Sequence, residues 1–466
     1  MSKTLLLLFV MFGLSGLTLQ AQSVSESSYL IRSAEVTQHD SLKIKFGVLS
    51  QTAADSSLGL KSNDQNSFQL AIDAAQKNPF GEATSSKLSF RLQALNSDRD
   101  LLMAVPEAFI QIGSTFGLGR QKTSYSDIDT GLEMGVINPL LTSDQIRTEQ
   151  QGLMGLHLKK KWGAFSLGLS AVGLYLPNQG PGVREENGRL VAANRWSATP
   201  PEKLRFNNEL KNINYKITDI DYAKIVNHQG VIAGLGWQFE QSAVKASYGR
   251  LPMNDLVIAR EIFADLEVRP QVLLTPVVTD QEVFTADFNF ETGPVLTTIG
   301  MIQSQPDNQK ARGQLETQKI APSTTYALMA EYRLLNHDGF IQSVAVAVAE
   351  TRGGEIEDLN SKGEKSEFIL APQRFKFNKP VQVKAVLNIL ENRLQKVLAD
   401  VKFIYDREQK GSVLDTDVSY LTPLSGLTVN AGVTLIGVSE ENADDKRFLY
   451  RSQVNDRVYG GLSYEF

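Results

Sequence analysis

Apolar and polar residues alternate one by one along most of this chain. The clearest runs are 42–48, 88–94, 284–291 and 427–435, in each of which every second residue is apolar. Successive side chains of a β-strand point to opposite faces, so each run predicts a strand with one apolar and one polar face. The helical pattern, with apolar residues at i, i+3, i+4 and i+7, is sustained over no long window. The sequence therefore predicts an all-β fold.

Three features favour a transmembrane β-barrel over a soluble β-sandwich or propeller. The alternating segments run for about 9 to 12 residues, which is the length that crosses a bilayer at a tilt. Their polar faces carry full charges, such as Arg91, Asp287 and Lys402, and these suit a water-filled interior. Short and long connections alternate along the chain, as in barrels with short periplasmic turns and long external loops. No repeat of about 40 residues, the spacing of propeller blades, is visible.

The alternation predicts about 18 strands, with 16 as the main competitor. The candidate strands begin near Leu42, Ser67, Ser86, Leu102, Phe116, Gly152, Ala164, Gly230, Ala243, Glu282, Pro294, Thr325, Phe340, Pro380, Lys396, Ser412, Leu427 and Gln453. Tight turns are expected at 160–163, 292–293, 336–339 and 422–426, and long loops at about 51–66, 124–150, 177–228, 251–280, 305–322 and 351–378. An open sheet edge in lipid would leave backbone groups unsatisfied, so we expect a single closed, antiparallel transmembrane barrel.

The amino terminus has the layout of a secretory signal peptide. A charged head at Lys3 precedes an apolar stretch over 5–14, and Ala21 offers the small residue that precedes a cleavage site. The apolar stretch is too short for a transmembrane helix, and no later run of about 18 apolar residues occurs. The sequence predicts three parts: a signal peptide at 1–21, a short exposed periplasmic leader at 22–38 and the barrel at 39–466.

Composition removes several classes of function. The 466 residues carry 47 basic and 52 acidic side chains, for a net charge of −5, whereas binding nucleic acid requires a basic face. The chain has no cysteine, which excludes disulfides, thiolate nucleophiles and zinc-thiolate sites. Its 42% of hydrophobic residues is ample for burial and excludes wholesale disorder. We expect an exported, folded protein without nucleic acid as a partner.

The carboxyl terminus carries the most specific local signal. Residues 461–466 read Gly-Leu-Ser-Tyr-Glu-Phe, with aromatic residues at the third-last and last positions. This segment resembles the terminal signature of bacterial outer-membrane barrels. The resemblance implies that the last strand closes the barrel against the first, in the lipid of a Gram-negative outer membrane. It also implies that the barrel-assembly machinery reads a signal formed by Gly461, Leu462, Tyr464 and Phe466.

A second, shorter resemblance lies nearer the amino terminus. Residues 107–113 (Glu-Ala-Phe-Ile-Gln-Ile-Gly) and 116–121 (Phe-Gly-Leu-Gly-Arg-Gln) resemble the strand-turn-strand of general bacterial porins, after which the constriction loop follows. Here the turn is shortened, and the acidic tripeptide usual in that loop is not clearly present. The resemblance implies the porin class and identifies no particular member.

The same resemblance suggests a constriction. Arg120 corresponds to the arginine of the porin Gly-Arg-Gln ending, and the loop after it carries Asp127, Asp129 and Glu133. If this loop folds inward, an arginine on the wall faces carboxylates on the loop, and the resulting transverse field orients polar solutes. The alternative is that the three acids lie on a solvated external loop. The predicted constriction residues are Arg120, Asp127, Asp129 and Glu133.

Enzymatic chemistry finds little support in the sequence. The four histidines, His39, His157, His228 and His337, lie in four different segments. His157 is expected to face the lumen, but no serine or acid partner can be assigned to it from the sequence. No His-x-x-x-His pair occurs, and the acidic stretches lack the spacing of a calcium loop. We predict no catalytic activity, no metal and no cofactor.

Two classes of function remain. The first is a porin-like channel for passive diffusion of small polar solutes, narrowed by inward-folded loops. The second is a structural barrel that anchors a surface or secretion complex in the outer membrane. The fold alone does not choose between them, and it leaves assembly into a homo-oligomer open.

Two further expectations concern the wall and the loops. Val344, Val346 and Val348 should face lipid, and Ala345, Ala347 and Ala349 should face the lumen. The segments 177–228 and 251–280 are unusually apolar for free loops, so we expect them to pack together at or inside one mouth of the barrel and to narrow it. Within the second segment, residues 255–266 suggest a short amphipathic helix. The alternative is that part of this sequence forms two additional strands.

Overall fold

In the computed structural model, the described residues are 41–51, 66–78, 86–97, 101–140, 146–148, 150–174, 183–192, 196, 202–206, 209–218, 228–254, 257–264, 270–307, 317–333, 340–359, 374–392, 395–439, 447–453 and 455–466. The predicted signal peptide at 1–21 and the leader at 22–38 lie outside these residues and stay predictions. Within this part of the chain, no helix is long and apolar enough to cross a membrane.

The secondary structure is almost entirely extended. In chain order the strands are β1 (Ser41–Gln51), β2 (Asn66–Lys77), β3 (Ser86–Ser97), β4 (Leu101–Ile112), β5 (Phe116–Gln121), β6 (Leu153–Trp162), β7 (Phe165–Val172), β8 (Val183–Glu186), β9 (Arg189–Ala192), β10 (Lys203–Phe206), β11 (Glu209–Asn212), β12 (Asn214–Ile217), β13 (Gly230–Gln238), β14 (Ser242–Pro252), β15 (Val257–Ala264), β16 (Pro270–Val277), β17 (Asp280–Thr292), β18 (Val295–Pro306), β19 (Thr317–Ile320), β20 (Ser323–Arg333), β21 (Ile341–Gly353), β22 (Ile356–Leu359), β23 (Pro380–Glu391), β24 (Lys396–Asp406), β25 (Gly411–Leu421), β26 (Leu427–Val438) and β27 (Arg457–Glu465). The described helices are α1 (Asp127–Leu132) and α2 (Phe448–Ser452).

Eighteen of these strands form one closed antiparallel barrel, as the alternation predicted. They are β1–β7, β13, β14, β17, β18, β20, β21 and β23–β27. Each pairs with the next along the chain, and β27 pairs with both β26 and β1, with Phe46 opposite Leu462 at the closure. The count of 18 is confirmed, and the competing count of 16 is wrong. The closing role expected of the last strand is also confirmed.

The barrel wall is apolar outside and polar inside. On β6, His157 is 1% exposed, whereas its neighbours Leu156 and Leu158 are 47% and 43% exposed on the outer face. Aromatic rings gather on the outer face near the short turns, where Trp237 stacks on Phe165 at 4.9 Å. Such an apolar outer band with aromatic residues at its border is the surface that a transmembrane barrel presents to lipid.

The predicted facing of β21 is confirmed. Ala345, Ala347 and Ala349 are buried on the inner face, and Val346 and Val348 are exposed on the outer face. The larger apolar side chains thus take the lipid side of the strand, where burial in hydrocarbon gains more free energy per residue.

The two apolar loop segments pack together, as predicted, but the helix expected at 255–266 is wrong. Residues 257–264 form the strand β15, which pairs antiparallel with β16, and β16 pairs parallel with β12. Extended pairing prevails over the helical pattern because 270–277 supplies a neighbouring strand rich in β-branched residues. The side chains of the two segments form a separate buried cluster comprising Leu190, Ile213, Tyr215, Val272 and Leu274.

The alternative that this sequence hides two additional barrel strands is wrong, although both segments contain short strands. The short strands β8–β12, β15, β16, β19 and β22 form four small sheets of two or three strands outside the barrel sheet. The last barrel strand begins at Arg457 rather than at the predicted Gln453, because 448–452 form the helix α2.

Candidate functional site

The connection between β5 and β6 enters the barrel and crosses it. We call the described residues of this connection, 122–140, 146–148 and 150–152, the inner segment. It contains the short helix α1, which begins after Ser126. The hydroxyl of Ser126 accepts a hydrogen bond from the backbone N–H of Asp129 at 3.3 Å. The helix ends at Leu132, and the next residue, Glu133, has the left-handed conformation with φ of 53°. This conformation is uncommon for a residue with a side chain and turns the segment sharply after one and a half turns.

A tyrosine fixes the beginning of the inner segment to the wall. The hydroxyl of Tyr125 is hydrogen-bonded to Ser170 Oγ on β7 at 2.8 Å, and Ser170 Oγ lies 2.8 Å from Nδ1 of His157. The ring lies against Gly168 and Gly234, where a Cβ atom would come within 3.1 and 2.8 Å of its carbons. Burial raises the pKa of Tyr125 to about 12, so the phenol stays protonated in this contact.

Apolar side chains continue this attachment. Ile128, Val136 and Ile137 of the inner segment are buried against wall residues from β6 to β21. The wall side of this cluster comprises Leu153, Val172, Ile232, Leu251, Val283, Ile302, Ala327, Met329, Ala345, Ala347 and Ala349. Burying a side chain of the size of isoleucine contributes about 1.5–3 kcal/mol. The inner segment is therefore a packed part of the barrel interior and not a free loop.

Asp127 makes the first polar anchor. Its carboxylate accepts hydrogen bonds from Lys245 Nζ on β14 at 2.8 Å and from Asn289 Nδ2 on β17 at 2.6 Å. Its backbone N–H donates to Asp287 Oδ2 at 2.8 Å. The carboxylate is almost fully buried, so these contacts replace its hydration.

Asp129 organises the inner segment itself. Its carboxylate accepts the backbone N–H groups of Val136 and Ile137 at 2.8 and 3.0 Å, and the side chain is buried. The acid thus closes the turn after α1 and faces its own segment. Its placement explains the geometry of the turn.

Glu133 reaches the opposite wall. Its two carboxylate oxygens accept hydrogen bonds from Lys384 Nζ on β23 and Lys402 Nζ on β24, both at 2.9 Å. Thr148 Oγ1, farther along the inner segment, also donates to this carboxylate at 2.9 Å. Burial pushes the pKa of Glu133 upward, but the two ammonium groups outweigh burial and hold it below its usual range.

Arg147 makes a second ionic contact on the same side. Its guanidinium lies 3.3 Å from Asp415 and 3.1 Å from Asp417, two inward-facing residues of β25. It also lies over the ring of Tyr459 on β27, 3.9 Å from the ring centroid. Glu133 and Arg147 together tie the inner segment to the strands β23, β24, β25 and β27.

These contacts show that the inner segment spans the barrel. It leaves the wall at β5, the fifth barrel strand, and Glu133 binds β23 and β24, the fourteenth and fifteenth of 18. In a closed ring of 18 strands those positions lie half of the circumference away. The contacts of Asp127 and Glu133 thus place this connection inside the barrel, whereas its role as a constriction stays a prediction.

Arg120 lies elsewhere. Its guanidinium donates to the backbone carbonyl oxygens of Val105 at 2.9 Å and Gly152 at 3.1 Å, and it contacts Gln151. The preceding Gly119 has φ of 116°, which breaks the regular strand geometry just before the arginine. The cations that meet Asp127 and Glu133 are instead Lys245, Lys384 and Lys402, which lie on other strands.

The sequence missed these lysines for a simple reason. Lys402 was expected on a polar face, but no local signal in the sequence indicates which distant acid Lys384 or Lys402 meets. The partner of His157, Ser170, was likewise not assignable from sequence. Both residues are buried, and their hydrogen bonds hold Tyr125. Among the described residues, no group of three or more His, Cys, Asp or Glu side chains could hold a metal ion.

Comparison with known proteins gives the following picture. No protein-family model and no curated protein matches the chain. Among solved structures, OpdQ of Pseudomonas aeruginosa aligns at 10% identity and a TM-score of 0.47, covering 92% of this chain and 97% of that one. OmpF of Salmonella typhi, solved in complex with daunomycin, aligns at 11% identity and a TM-score of 0.37, covering 92% of this chain and 97% of that one. OmpT of Vibrio cholerae, an outer-membrane protein in trimer form, aligns at 10% identity and a TM-score of 0.37, covering 91% of this chain and 98% of that one.

The class of this protein follows from the barrel itself. An even-numbered, closed antiparallel barrel with an apolar exterior and a polar interior is a transmembrane β-barrel of the outer-membrane type. Its place is the outer membrane of a Gram-negative bacterium.

Proposed function

We propose that the protein is a passive channel for small polar solutes, narrowed by the inner segment. The observation that carries this proposal is the reach of Glu133 from the inner segment to Lys384 and Lys402 on the opposite wall. A segment that spans a barrel in this way divides its interior. Solutes are then sorted by the width and the charge of the space that remains.

The state of the charged side chains supports a hydrated interior. Arg147 keeps 34% of its side-chain surface exposed, and Lys402 and Asp417 keep 17% and 13%. These groups face inward, so water reaches them from within the barrel. Charged side chains in a dry interior would carry a much larger desolvation cost.

The alternative function is a structural barrel that anchors a surface or secretion complex. No specific contact among the described residues favours it, and the packed inner segment is as compatible with a closed plug as with a constriction. The two functions differ in one measurable property, which is the passage of ions and solutes.

Single-channel recording in planar bilayers tests the proposal. We expect steady open steps whose conductance is well below that of an unobstructed barrel of 18 strands. Liposome swelling with sugars of increasing size should show a sharp size limit. A correctly folded barrel that passes neither ions nor sugars, and that co-purifies with a fixed protein partner, would favour the anchor.

A further inference from the structure

The wall opposite the origin of the inner segment carries two adjacent lysines. Lys384 on β23 and Lys402 on β24 are directly paired in register, so their inward-facing ammonium groups are close neighbours. Like charges directly opposite each other on neighbouring strands are destabilising unless an anion lies between them. Here the anion is the carboxylate of Glu133, with one lysine on each oxygen. The lysine pair is thus a site built for a carboxylate.

The next strand carries the opposite charge. Asp415 on β25 is directly paired with Lys402, and Asp417 with Asp400. Arg147 occupies the two aspartates of β25, and Thr434 donates to Asp415 at 2.6 Å. The aspartate pair is therefore a site built for a cationic nitrogen, and Asp400 adds negative charge beside it.

The inner segment fills both sites at once. Glu133 supplies the carboxylate, Arg147 supplies the guanidinium, and Thr148 links the two through its hydrogen bond to Glu133. The charged side chains of the two sites keep 11–17% of their surface exposed; they are Lys384, Lys402, Asp415, Asp417 and Glu133. The contacts are thus reachable from the hydrated interior and are not sealed in an apolar core.

We propose that this wall is a binding site for a dipolar solute, one that carries both a carboxylate and a cationic nitrogen, as amino acids and short peptides do. Glu133 and Arg147 are internal occupants of the site, and a solute competes with them. The inference rests on the proposed function in one respect: the interior must admit solutes. It adds the class of solute and the residues that bind it.

Free arginine is a suitable probe because it carries a carboxylate and a guanidinium, the two groups that Glu133 and Arg147 present. Agmatine keeps the guanidinium and lacks the carboxylate, and valerate keeps a carboxylate and lacks any cation. Isothermal titration calorimetry on the detergent-solubilised full-length barrel measures binding without requiring conduction. Retention of the folded barrel is checked for each variant by heat-dependent gel mobility.

The variant Glu133→Gln removes the internal competitor for the lysine pair. Glu133 then no longer competes for the two ammonium groups, so we expect arginine to bind about tenfold more tightly or better. In the same background, Lys384→Gln with Lys402→Gln should abolish this gain. Glu350→Gln is the matched control: its carboxylate lies on the outer face of β21 and contacts only Arg352 among the ion pairs described. Its affinity for arginine should equal that of the wild type.

Two results would overturn the dipolar site. One is equal affinity for arginine in the wild type and the Glu133→Gln variant, both folded. The other is binding of agmatine or valerate as tightly as arginine to the double variant Glu133→Gln with Arg147→Gln, in which both internal occupants are removed. A barrel that binds arginine as expected but conducts nothing would overturn the channel and leave the site standing. A barrel that conducts but shows no gain of binding would overturn the site alone.

Discussion

The hydroxyl of Tyr125 lies 2.8 Å from Ser170 Oγ and joins the inner segment to the barrel wall where that segment begins. The ring above this contact lies on Gly168 and Gly234, which leave room for it because they have no side chains. The position of the Tyr125 ring thus depends on two positions of the wall that contribute no side chain. A side chain added at either glycine would therefore displace the ring of Tyr125, and with it the inner segment, while the barrel strands could stay in place.

Gly234→Ala should loosen the inner segment. The added Cβ would lie 2.8 Å from a ring carbon of Tyr125, so the ring has to move. This weakens the packing of the inner segment against the wall by about 1–3 kcal/mol. We expect a larger and less steady single-channel conductance. Gly173→Ala is the matched control, since a Cβ there meets nothing within 4 Å. Equal conductance of both variants and the wild type would contradict this role of Tyr125.

Cysteine labelling of β21 tests which face of the strand meets lipid and whether the inner face is buried. The chain has no cysteine, so a single introduced thiol gives an unambiguous signal. Val346→Cys should react with a lipid-soluble maleimide, because Val346 faces outward. Ala347→Cys should resist both lipid-soluble and water-soluble reagents, because Ala347 is covered by the cluster that includes the inner segment. Adding Gly234→Ala to the Ala347→Cys variant should make its thiol react with the water-soluble reagent only. Labelling of this thiol from the lipid side would be inconsistent with the described facing.

The contact of Glu133 should survive mild acid. The two lysines hold the pKa of Glu133 below its ordinary value of 4.5, so the stabilisation is fully present above that value. It is lost only as the pH falls further, through the lowered pKa. Conductance of the wild type should therefore show no opening of the inner segment between about pH 7 and pH 5, after correction for bulk conductivity. Glu133→Gln, which cannot ionise, should show the loosened state at both pH values.

The final residue should control assembly more than stability. The ring of Phe466 packs edge-on against the ring of Tyr464, with 4.6 Å between the ring centroids, at the end of the strand that closes the barrel. Phe466→Ala should lower the amount of folded barrel in the outer membrane, as seen by heat-dependent gel mobility, and leave conductance of the assembled fraction unchanged. Phe340→Ala removes another exposed aromatic residue and serves as the control. Equal losses for both variants would indicate a general effect of aromatic side chains at the membrane border.

The strands were predictable from the sequence because their pattern is local. One face of each strand meets lipid and the other meets water, so every second residue reports its own environment. The predicted starts near Phe116, Gly230 and Lys396 coincide with the strands β5, β13 and β24. The error at Gln453 arose where a short helix carries the chain into the last strand, since five residues are too few to show a helical period.

The site was predictable only in part, because its contacts join distant segments. The acids Asp127, Asp129 and Glu133 could be found as a cluster, but their different environments could not. Asp129 faces its own backbone, and Glu133 spans the interior to Lys384, which lies 251 positions away in the chain. Arg120 matched the porin pattern by its neighbours, yet the conformation of Gly119 directs it to backbone oxygens. The constriction role of these four residues stays a prediction.

The closure of the ring by β1 and β27 has a consequence for biogenesis. The strand made first can find one of its two neighbours only after the strand made last has been translocated. Until then, a partly inserted sheet has two exposed edges, each with a row of unpaired backbone groups that favour aggregation. Contacts of such long sequence separation also slow folding. We therefore expect this chain to depend on periplasmic holding factors for as long as its export is incomplete.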